Sequence, residues 1–583
     1  MRAMDGSNHD AAVQALAGRS AAAICTAFED YNDSFRSITQ RAQRRFEMRE
    51  WQLGQRDAVE RIELYDHRVE RCLAGLVGML GRHIAEEATW NAARTEFSRL
   101  TADRPDRQFY ATFFNSLTRK VFATIGVNPA VEFVTEADEP PQGAAPVREI
   151  GLQQGLVRGL ESLLAGLPWA AQLHDAPRSA RFIDGEIRGV LAVRGLSSGL
   201  ARLEVLEPVF YRATRAYVVG RVSGEGWTFP LVIAFAHPES GIVADTVMIS
   251  DYELRPLFGF SRSYFHVDLA VVEAVVRYLC SIMPGKPVDE LYAVLGRAKQ
   301  GKTERYRRLF RHLAASTDLF VHAEGVRGMV MVVFTLNSSD LVFKVIRDRF
   351  DWPKTTSRAE VMEKYRCVFR HDRVGRLVDA QEFRRLRFPR ARFAPELLDE
   401  LMNSAADTCR LDGDDLIIDL CYVERRLKPL DVYLREAEPA AARRAIRDYG
   451  QAIRDLALSN VFPGDLLLKN FGVSRHGRVI FYDYDELCLV TECRFRDLPA
   501  ARDNDEEMRA EPWFYVGPDD VFPEQFIEFL GLRGELRDEF LKYHAALLDA
   551  DYWRQIRSAH AAEAHLEVVP YQRRQISHIL ATP

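Results

Sequence analysis

A chain of 583 residues has room for two to four domains, and 47% hydrophobic with 28% charged residues fits a globular protein rather than a disordered or fibrous one. The formal net charge of −6, without a long basic tract, argues against nucleic acid as a partner. No apolar run approaches the roughly 18 residues needed to span a bilayer, so no membrane partner is expected. The N-terminal ten residues carry no apolar core of a secretory signal. The eight cysteines form no CxxC pair and no His/Cys cluster. A reduced, cytoplasmic setting with thiols as small core residues is the expectation.

In chain order, residues from about Ala11 to Gly126 read as helical. Val69, Cys72, Leu73, Leu76 and Leu80 recur at three and four. The stretch from Glu136 to Pro146, with Pro140, Pro141 and Gly143, is linker chemistry. From about Arg181 to Ile249 short β-branched and aromatic runs predict an antiparallel sheet: Val190–Val193, Leu203–Leu206, Ala216–Val219 and Leu231–Phe235. Helices are expected over Val267–Ile282 and from Val288 to about Leu313. Residues 1–313 thus form a mostly helical domain with an inserted sheet. Next come the strand Phe320–His322, the turn Gly325–Gly328, the strand Met329–Phe334 and the strand Leu341–Ile346, then a helix over Thr356–Phe369. The remainder is mostly helical. The fold class is α+β, with a protein-kinase-like bilobal domain over 314–583: a small lobe over about 314–425 and a large lobe over about 426–583.

Gly296-Arg-Ala-Lys-Gln-Gly301-Lys302-Thr303 matches the phosphate-binding G-x-x-x-x-G-K-[ST] pattern. That loop needs a buried strand before it, and Asp289–Leu295 reads as helix. Lys302–Arg308 is therefore read as the basic face of a helix.

The chemistry concentrates in Asp465-Leu-Leu-Leu-Lys469-Asn470, the apolar run Val479–Tyr482, and Asp483-Tyr-Asp485. Phosphoryl transfer needs phosphates held, metal ions held and a hydroxyl aligned. Asp465 is the candidate to orient a substrate hydroxyl and take its proton, Lys469 to neutralise the transferring group, and Asn470 and Asp483 to hold metal. The D-x4-N spacing is that of a kinase catalytic loop. Lys344, inside Val342-Phe-Lys-Val-Ile346, shares the face of Val342 and Ile346, where a lysine is costly unless something anionic meets it. Glu360 or Glu363 on the next helix is its expected partner, with Glu360 favoured. Tyr422-Val-Glu424 through Leu434 reads as the segment joining two lobes, where exposed backbone meets an adenine edge; this puts Glu424 among the nucleotide contacts. The pattern also departs from ordinary kinases. Pro463-Gly464 stands where His-Arg precedes the loop aspartate, Asp483-Tyr-Asp485 stands where Asp-Phe-Gly is usual, and Lys469 lies four residues after Asp465. Ala394-Pro395-Glu396 precedes the loop and is read as a helix start.

Several longer stretches carry a specific likeness: Ala323-Glu-Gly-Val-Arg-Gly-Met-Val330, Val342–Ile346, His371-Asp-Arg-Val-Gly-Arg376, Phe462-Pro-Gly-Asp-Leu-Leu-Leu-Lys-Asn-Phe-Gly472 and Phe481-Tyr-Asp-Tyr-Asp-Glu486. They resemble the bacterial isocitrate dehydrogenase kinase/phosphatase family over essentially the whole chain, most densely from about Phe320 to Tyr571. The resemblance implies a bifunctional enzyme. It would phosphorylate a serine of isocitrate dehydrogenase with ATP and remove that phosphate, directing isocitrate between the tricarboxylic acid cycle and the glyoxylate bypass. Kinase, phosphatase and ATPase activities would share one site with Mg2+, or Mn2+ as an alternative. AMP would bind a regulatory pocket near the domain junction and favour the phosphatase. The ATP contacts implied are Ala323, Glu324, Gly325, Val326, Arg327, Gly328, Met329 and Lys344. The phosphatase-associated aspartate implied is Asp379, which the residues alone place as an acid in a helix. The polar stretch Arg494–Phe526, with its aromatics, is expected to dock the protein substrate, and a homodimer is left open. The rival readings are a nucleotide-binding pseudokinase adaptor and a small-molecule kinase of the same fold.

Overall fold

The computed structural model describes residues 2–134, 143–196, 199–259, 265–352, 354, 356–371, 375–499 and 514–571. They divide into two compact units, one of residues up to Arg311 together with Tyr571, the other from His312 to Pro570.

The first unit opens with four helices: α1 (Arg2–Glu47), α2 (Trp51–Leu80), α3 (Glu87–Leu100) and α4 (Arg107–Phe122). The apolar spacing of α2 buries Tyr65, Val69, Leu76 and Leu80 against Phe28, Tyr31 and Phe113. A six-stranded antiparallel sheet follows, built from β1 (Val147–Ile150), β2 (Leu200–Leu206), β3 (Phe210–Arg212), β4 (Arg215–Gly224), β5 (Trp227–Ala236) and β6 (Val243–Met248). Its order is β1-β2-β4-β5-β6, with β3 paired to β4. Helices α5 (Leu156–Ala165) and α6 (Ala176–Val193) share its core. The strand predicted at Val190–Val193 is thus the end of α6. Asp175 caps α6 by accepting from Arg178 N at 2.8 Å, and burial falls on Ala180, Ile183, Ile187 and Leu191. The local β-branched run yields to that 3.6-residue period, and Val193 is left 90% exposed.

Beyond α7 (Asp251–Leu257), the helix predicted from Val267 begins later, as α8 (Val272–Ile282). Its start is fixed from a distance: the Asp106 carboxylate accepts from Val272 N and Glu273 N at 2.7 and 2.9 Å. The single helix expected from Val288 is two, α9 (Val288–Val294) and α10 (Ala298–Ala315). They are separated at Gly296, whose φ of +84° ends the first. Helix α9 stands before the phosphate-loop look-alike, and Gly301 and Lys302 lie inside α10.

The second unit begins with an antiparallel sheet of order β10-β12-β9-β8-β7, with β11 paired to β12. Its strands are β7 (Phe320–His322), β8 (Met331–Leu336), β9 (Leu341–Ile346), β10 (Gln381–Pro389), β11 (Cys409–Asp412) and β12 (Asp415–Arg425). The three-strand meander is therefore half of a larger sheet. Strand β10 is not foreseen because Arg385 adopts φ +54° and breaks the alternation of Phe383, Leu386 and Phe388. Helices α11 (Arg358–His371) and α12 (Pro395–Ser404) accompany the sheet. After them come β13 (Lys428–Pro429), α13 (Leu430–Glu436), α14 (Pro439–Leu458), β14 (Val461–Phe462), β15 (Phe471–Val473), β16 (Val479–Phe481) and β17 (Cys488–Leu489), then the helices Gly534–His544 and Ala550–Ala561. Their core gathers Ile446, Tyr449, Ile453, Phe471, Phe481 and Trp553. Among the described residues no helix is long and apolar enough to cross a membrane, and all eight cysteines are free thiols.

Candidate active site

A cavity of about 730 Å³ opens in the second unit, within the usual range of small-molecule sites, roughly 300–1,000 Å³. It is lined by the hairpin Ala323–Gly328, Lys344 on β9, Glu424–Pro429 at the end of β12 and just after it, Lys469 and Asn470, and Tyr482, Asp483 and Asp485. Sequence positions from 322 to 485 thus converge on one hollow.

Lys344 is 5% exposed. Its ammonium lies 2.6 Å from Glu424 Oε1 and donates to Tyr482 O at 2.8 Å. The Tyr482 ring centroid is 5.0 Å from Nζ. The antiparallel register sets Lys344 opposite Tyr422 and Val342 opposite Glu424, so the ion pair is a diagonal across adjacent strands. Glu360, the expected partner, is elsewhere. Its carboxylate accepts from Ser357 N at 2.7 Å while Ser357 Oγ accepts from Glu360 N at 3.3 Å. This is a capping box that starts α11. Glu363 faces Arg366 instead. Glu424 is thus the carboxylate that holds the strand lysine.

The Asp465–Asn470 loop follows β14. Gly464 has φ +76°, and a Cβ there would stand 2.1 Å from Glu486 O, so the turn into Asp465 admits only glycine. Asp465 Oδ1 accepts from Leu467 N at 2.9 Å, and Asn470 Nδ2 donates to Asp465 O at 3.3 Å. Tyr449 OH donates to Leu466 O, and Tyr482 OH donates to Lys469 O. The loop is thereby fastened at both ends, with Lys469 and Asn470 on the cavity wall; Asp465 and Met329 do not line the cavity.

Strand β16 pairs with β15, Phe471 opposite Phe481, and delivers the chain into Asp483-Tyr-Asp485. Tyr484 is fully buried; its ring meets Tyr365 of α11 edge-on at 5.0 Å, and its hydroxyl donates to Val378 O at 2.8 Å. Asp483 and Asp485 flank this anchor. Burial, and then the neighbouring Asp483 charge, push the Asp485 carboxyl up to about 7. Its Oδ1 is buried without a hydrogen-bond partner.

Asp379, read from sequence as a helical acid, is instead on the extended stretch before β10, where Gln381 Nε2 donates to its Oδ2 at 2.9 Å. It does not line the cavity, but its neighbour Val378 is the residue bonded by Tyr484.

A family model described as the isocitrate dehydrogenase kinase/phosphatase (AceK) regulatory domain matches residues 21–317, and one described as the kinase domain of the same family matches residues 318–573. The chain belongs to the isocitrate dehydrogenase kinase/phosphatase family. Curated relatives of that name are 48% identical in Xanthomonas campestris pv. campestris (strain 8004), over 94% of this chain and 96% of the relative. In Anaeromyxobacter sp. (strain Fw109-5) the identity is 46%, over 96% and 98%. In this isocitrate dehydrogenase kinase/phosphatase family member, sequence reasoning missed a polar cluster on the cavity wall. His322, Arg347 and Glu400 form one cluster, with His322 Nε2 2.6 Å from Glu400 and Arg347 bonded to the same carboxylate. No local spacing signals it, because Glu400 lies on α12. Asp485 carried a signal, a second acid two residues beyond Asp483. Of the docking stretch Arg494–Phe526, residues 500–513 lie outside the described residues, as do 372–374 of the His371–Arg376 motif. At its described end Arg496 donates to Tyr515 O at 3.0 Å, and the Phe514 and Phe522 rings meet at 5.3 Å.

Proposed function

We propose that this protein transfers the γ-phosphoryl group of ATP to a serine of isocitrate dehydrogenase and removes it again, using the cavity of the second unit for both. The observation that carries this reading is the buried Lys344–Glu424 pair, bonded to Tyr482 O beside Asp483 and sharing the cavity with Lys469 and Asn470. Kinases hold a phosphate-binding lysine and a metal-binding aspartate in such a relation. The sheet β7–β12 and the mostly helical part from α13 onward support a kinase-like bilobal arrangement, small lobe up to about Arg425 and large lobe after it.

In this reading the hairpin Ala323–Met329 covers the nucleotide phosphates, and Glu424 to Pro429 offers backbone to the adenine. Lys344, released toward the phosphates, supplies a positive charge that Glu424 otherwise balances. Among the described residues no group of three or more His, Cys, Asp or Glu side chains could hold a metal alone. Asn470, Asp483 and Asp485 are nonetheless the residues that would hold Mg2+ or Mn2+, and the unpartnered Asp485 Oδ1 is the atom that speaks for it. Such an ion would neutralise charge on the transferring phosphoryl group. The Asp465 carboxylate, fixed by Leu467 N, orients the serine hydroxyl and accepts its proton. Lys469 steadies the transferred group. For removal, Asp379 orients the attacking water. AMP shifts the balance toward removal, and the balance sets the flow of isocitrate into the glyoxylate bypass. The family membership favours this reading over the adaptor and small-molecule kinase readings.

The test incubates the full-length protein with γ-labelled ATP, Mg2+ and isocitrate dehydrogenase, then chases with unlabelled nucleotide and AMP. Label should appear on a dehydrogenase serine and then leave it as inorganic phosphate. Nucleotide binding without incorporation would overturn the reading in favour of an adaptor.

A further inference from the structure

The stretch Gly375–Asp379 runs parallel to β16. Phe481 N donates to Arg376 O at 2.8 Å, Val378 N donates to Phe481 O at 3.3 Å, and Leu377 and Phe481 form a bridge. With the Tyr484 bond to Val378 O, the backbone leading to Asp379 is tied to the strand and turn that carry Asp483.

One guanidinium stands at the root of this arrangement. Arg376 is 2% exposed. Its Nε donates to Asp455 Oδ2 at 2.7 Å, and Nη1 and Nη2 donate to the two oxygens of Asp448 at 2.8 Å. Nη1 also donates to Val479 O at 2.8 Å, and Asp448 Oδ2 accepts from Val479 N at 2.6 Å. Both carboxylates belong to α14. Helix α14, strand β16 and the Asp379 stretch therefore meet at one planar fork, whose bidentate geometry an ammonium does not reproduce.

The two strands held at the fork depend on it unequally. Strand β16 is also paired along its length with β15, and Tyr482 N donates to Asn470 O at 3.1 Å. Before β10 begins at Gln381, opposite Val423 of β12, the Asp379 stretch is held toward the cavity by the bridge to β16 and by Tyr484. We propose that Arg376 is a positioning residue for phosphate removal, setting where the Asp379 carboxylate stands relative to Asp483. The inference rests on the reading of Asp379 as the residue that orients water.

The experiment measures initial rates of phosphorylation and dephosphorylation of isocitrate dehydrogenase by full-length Arg376→Lys, Asp379→Asn, the double variant and Asp448→Asn. A misplacement of about 1 Å can cost an oriented reaction about 100-fold. For Arg376→Lys the dephosphorylation kcat should fall about tenfold or more, with KM for the phosphorylated dehydrogenase within about twofold and phosphorylation reduced less than about threefold. Adding Arg376→Lys to Asp379→Asn should cost removal nothing further. Asp448→Asn, at a partly exposed carboxylate, should shift the ratio of the two rates the same way, and it decides the matter if Arg376→Lys does not fold. Equal loss in both directions, or additive losses in the double variant, would overturn the inference. Full dephosphorylation by Asp379→Asn would instead overturn the reading of Asp379 and the inference with it.

Discussion

Lys344 and Glu424 stabilise each other inside the sheet, 2.6 Å apart and both nearly inaccessible. Removing one partner leaves an uncompensated buried charge, so Lys344→Met should lower unfolding free energy by about 3–5 kcal/mol, read by urea denaturation, and abolish phosphorylation. Lys344→Met with Glu424→Gln should recover most of that stability and none of the activity. A stable but active double variant would deny the lysine its role at the phosphates. Asp485 makes a second prediction. Its carboxyl, displaced by burial and by Asp483 from 3.8 to about 7, is protonated in much of the metal-free protein below neutrality. Because the folded value lies above the unfolded one, this group's contribution to stability is full below about pH 4 and is lost as pH rises toward 7. Metal binding requires the carboxylate, so Mn2+ affinity measured by calorimetry should rise by up to about tenfold per pH unit between about pH 5 and 7 and then level off. Asp485→Asn should flatten that slope. Lys344, Lys469, Asn470 and Asp483 were legible as cavity residues because each sits in a short pattern of residue types. The partner of Lys344 was not, because a diagonal across β9 and β12 joins residues that no local spacing relates. Glu360 looked eligible only because helix-capping chemistry also places a glutamate there.

Among the elements, α14 organises the second unit from behind. It carries Asp448 and Asp455 toward Arg376, and Gly450 toward the helix Gly534–His544. A Cβ at Gly450 would stand 2.2 Å from His544 Cδ2, and His544 is itself buried with Nε2 donating to Arg447 O at 2.8 Å. Neither partner has room to yield, so Gly450→Ala should destabilise the protein by about 1–3 kcal/mol, seen as a lowered Tm without a change in the ratio of the two activities. An unchanged Tm would mean that the two helices are more loosely packed than the structure has them. The long helices of the first unit were legible because periodicity is sustained through them, and the strands β7–β9 because β-branched and aromatic runs stand between turn residues. The end of α6 was misread because a β-branched run masked a helical period set from its capped start at Asp175. Strand β10 and the extended course of Asp379 were lost for the opposite reason: the left-handed Arg385 interrupts the alternation that announces a strand.

For the whole molecule, the sequence offers two places for a nucleotide, the look-alike at Gly296–Thr303 in the first unit and the cavity in the second. In the first, a helix precedes the pattern and its lysine is carried inside α10, so no loop of backbone N–H groups is available to cradle phosphate. The second brings together residues scattered over more than 150 positions. On the proposed function, this one cavity serves both the gain and the loss of phosphate. The most direct measurement follows label onto and off isocitrate dehydrogenase with full-length Asp483→Asn, using Lys302→Ala as the control. Asp483→Asn should lose transfer and removal together, while Lys302→Ala should keep both. An Asp483→Asn protein that no longer adds phosphate yet still strips it would contradict a shared site.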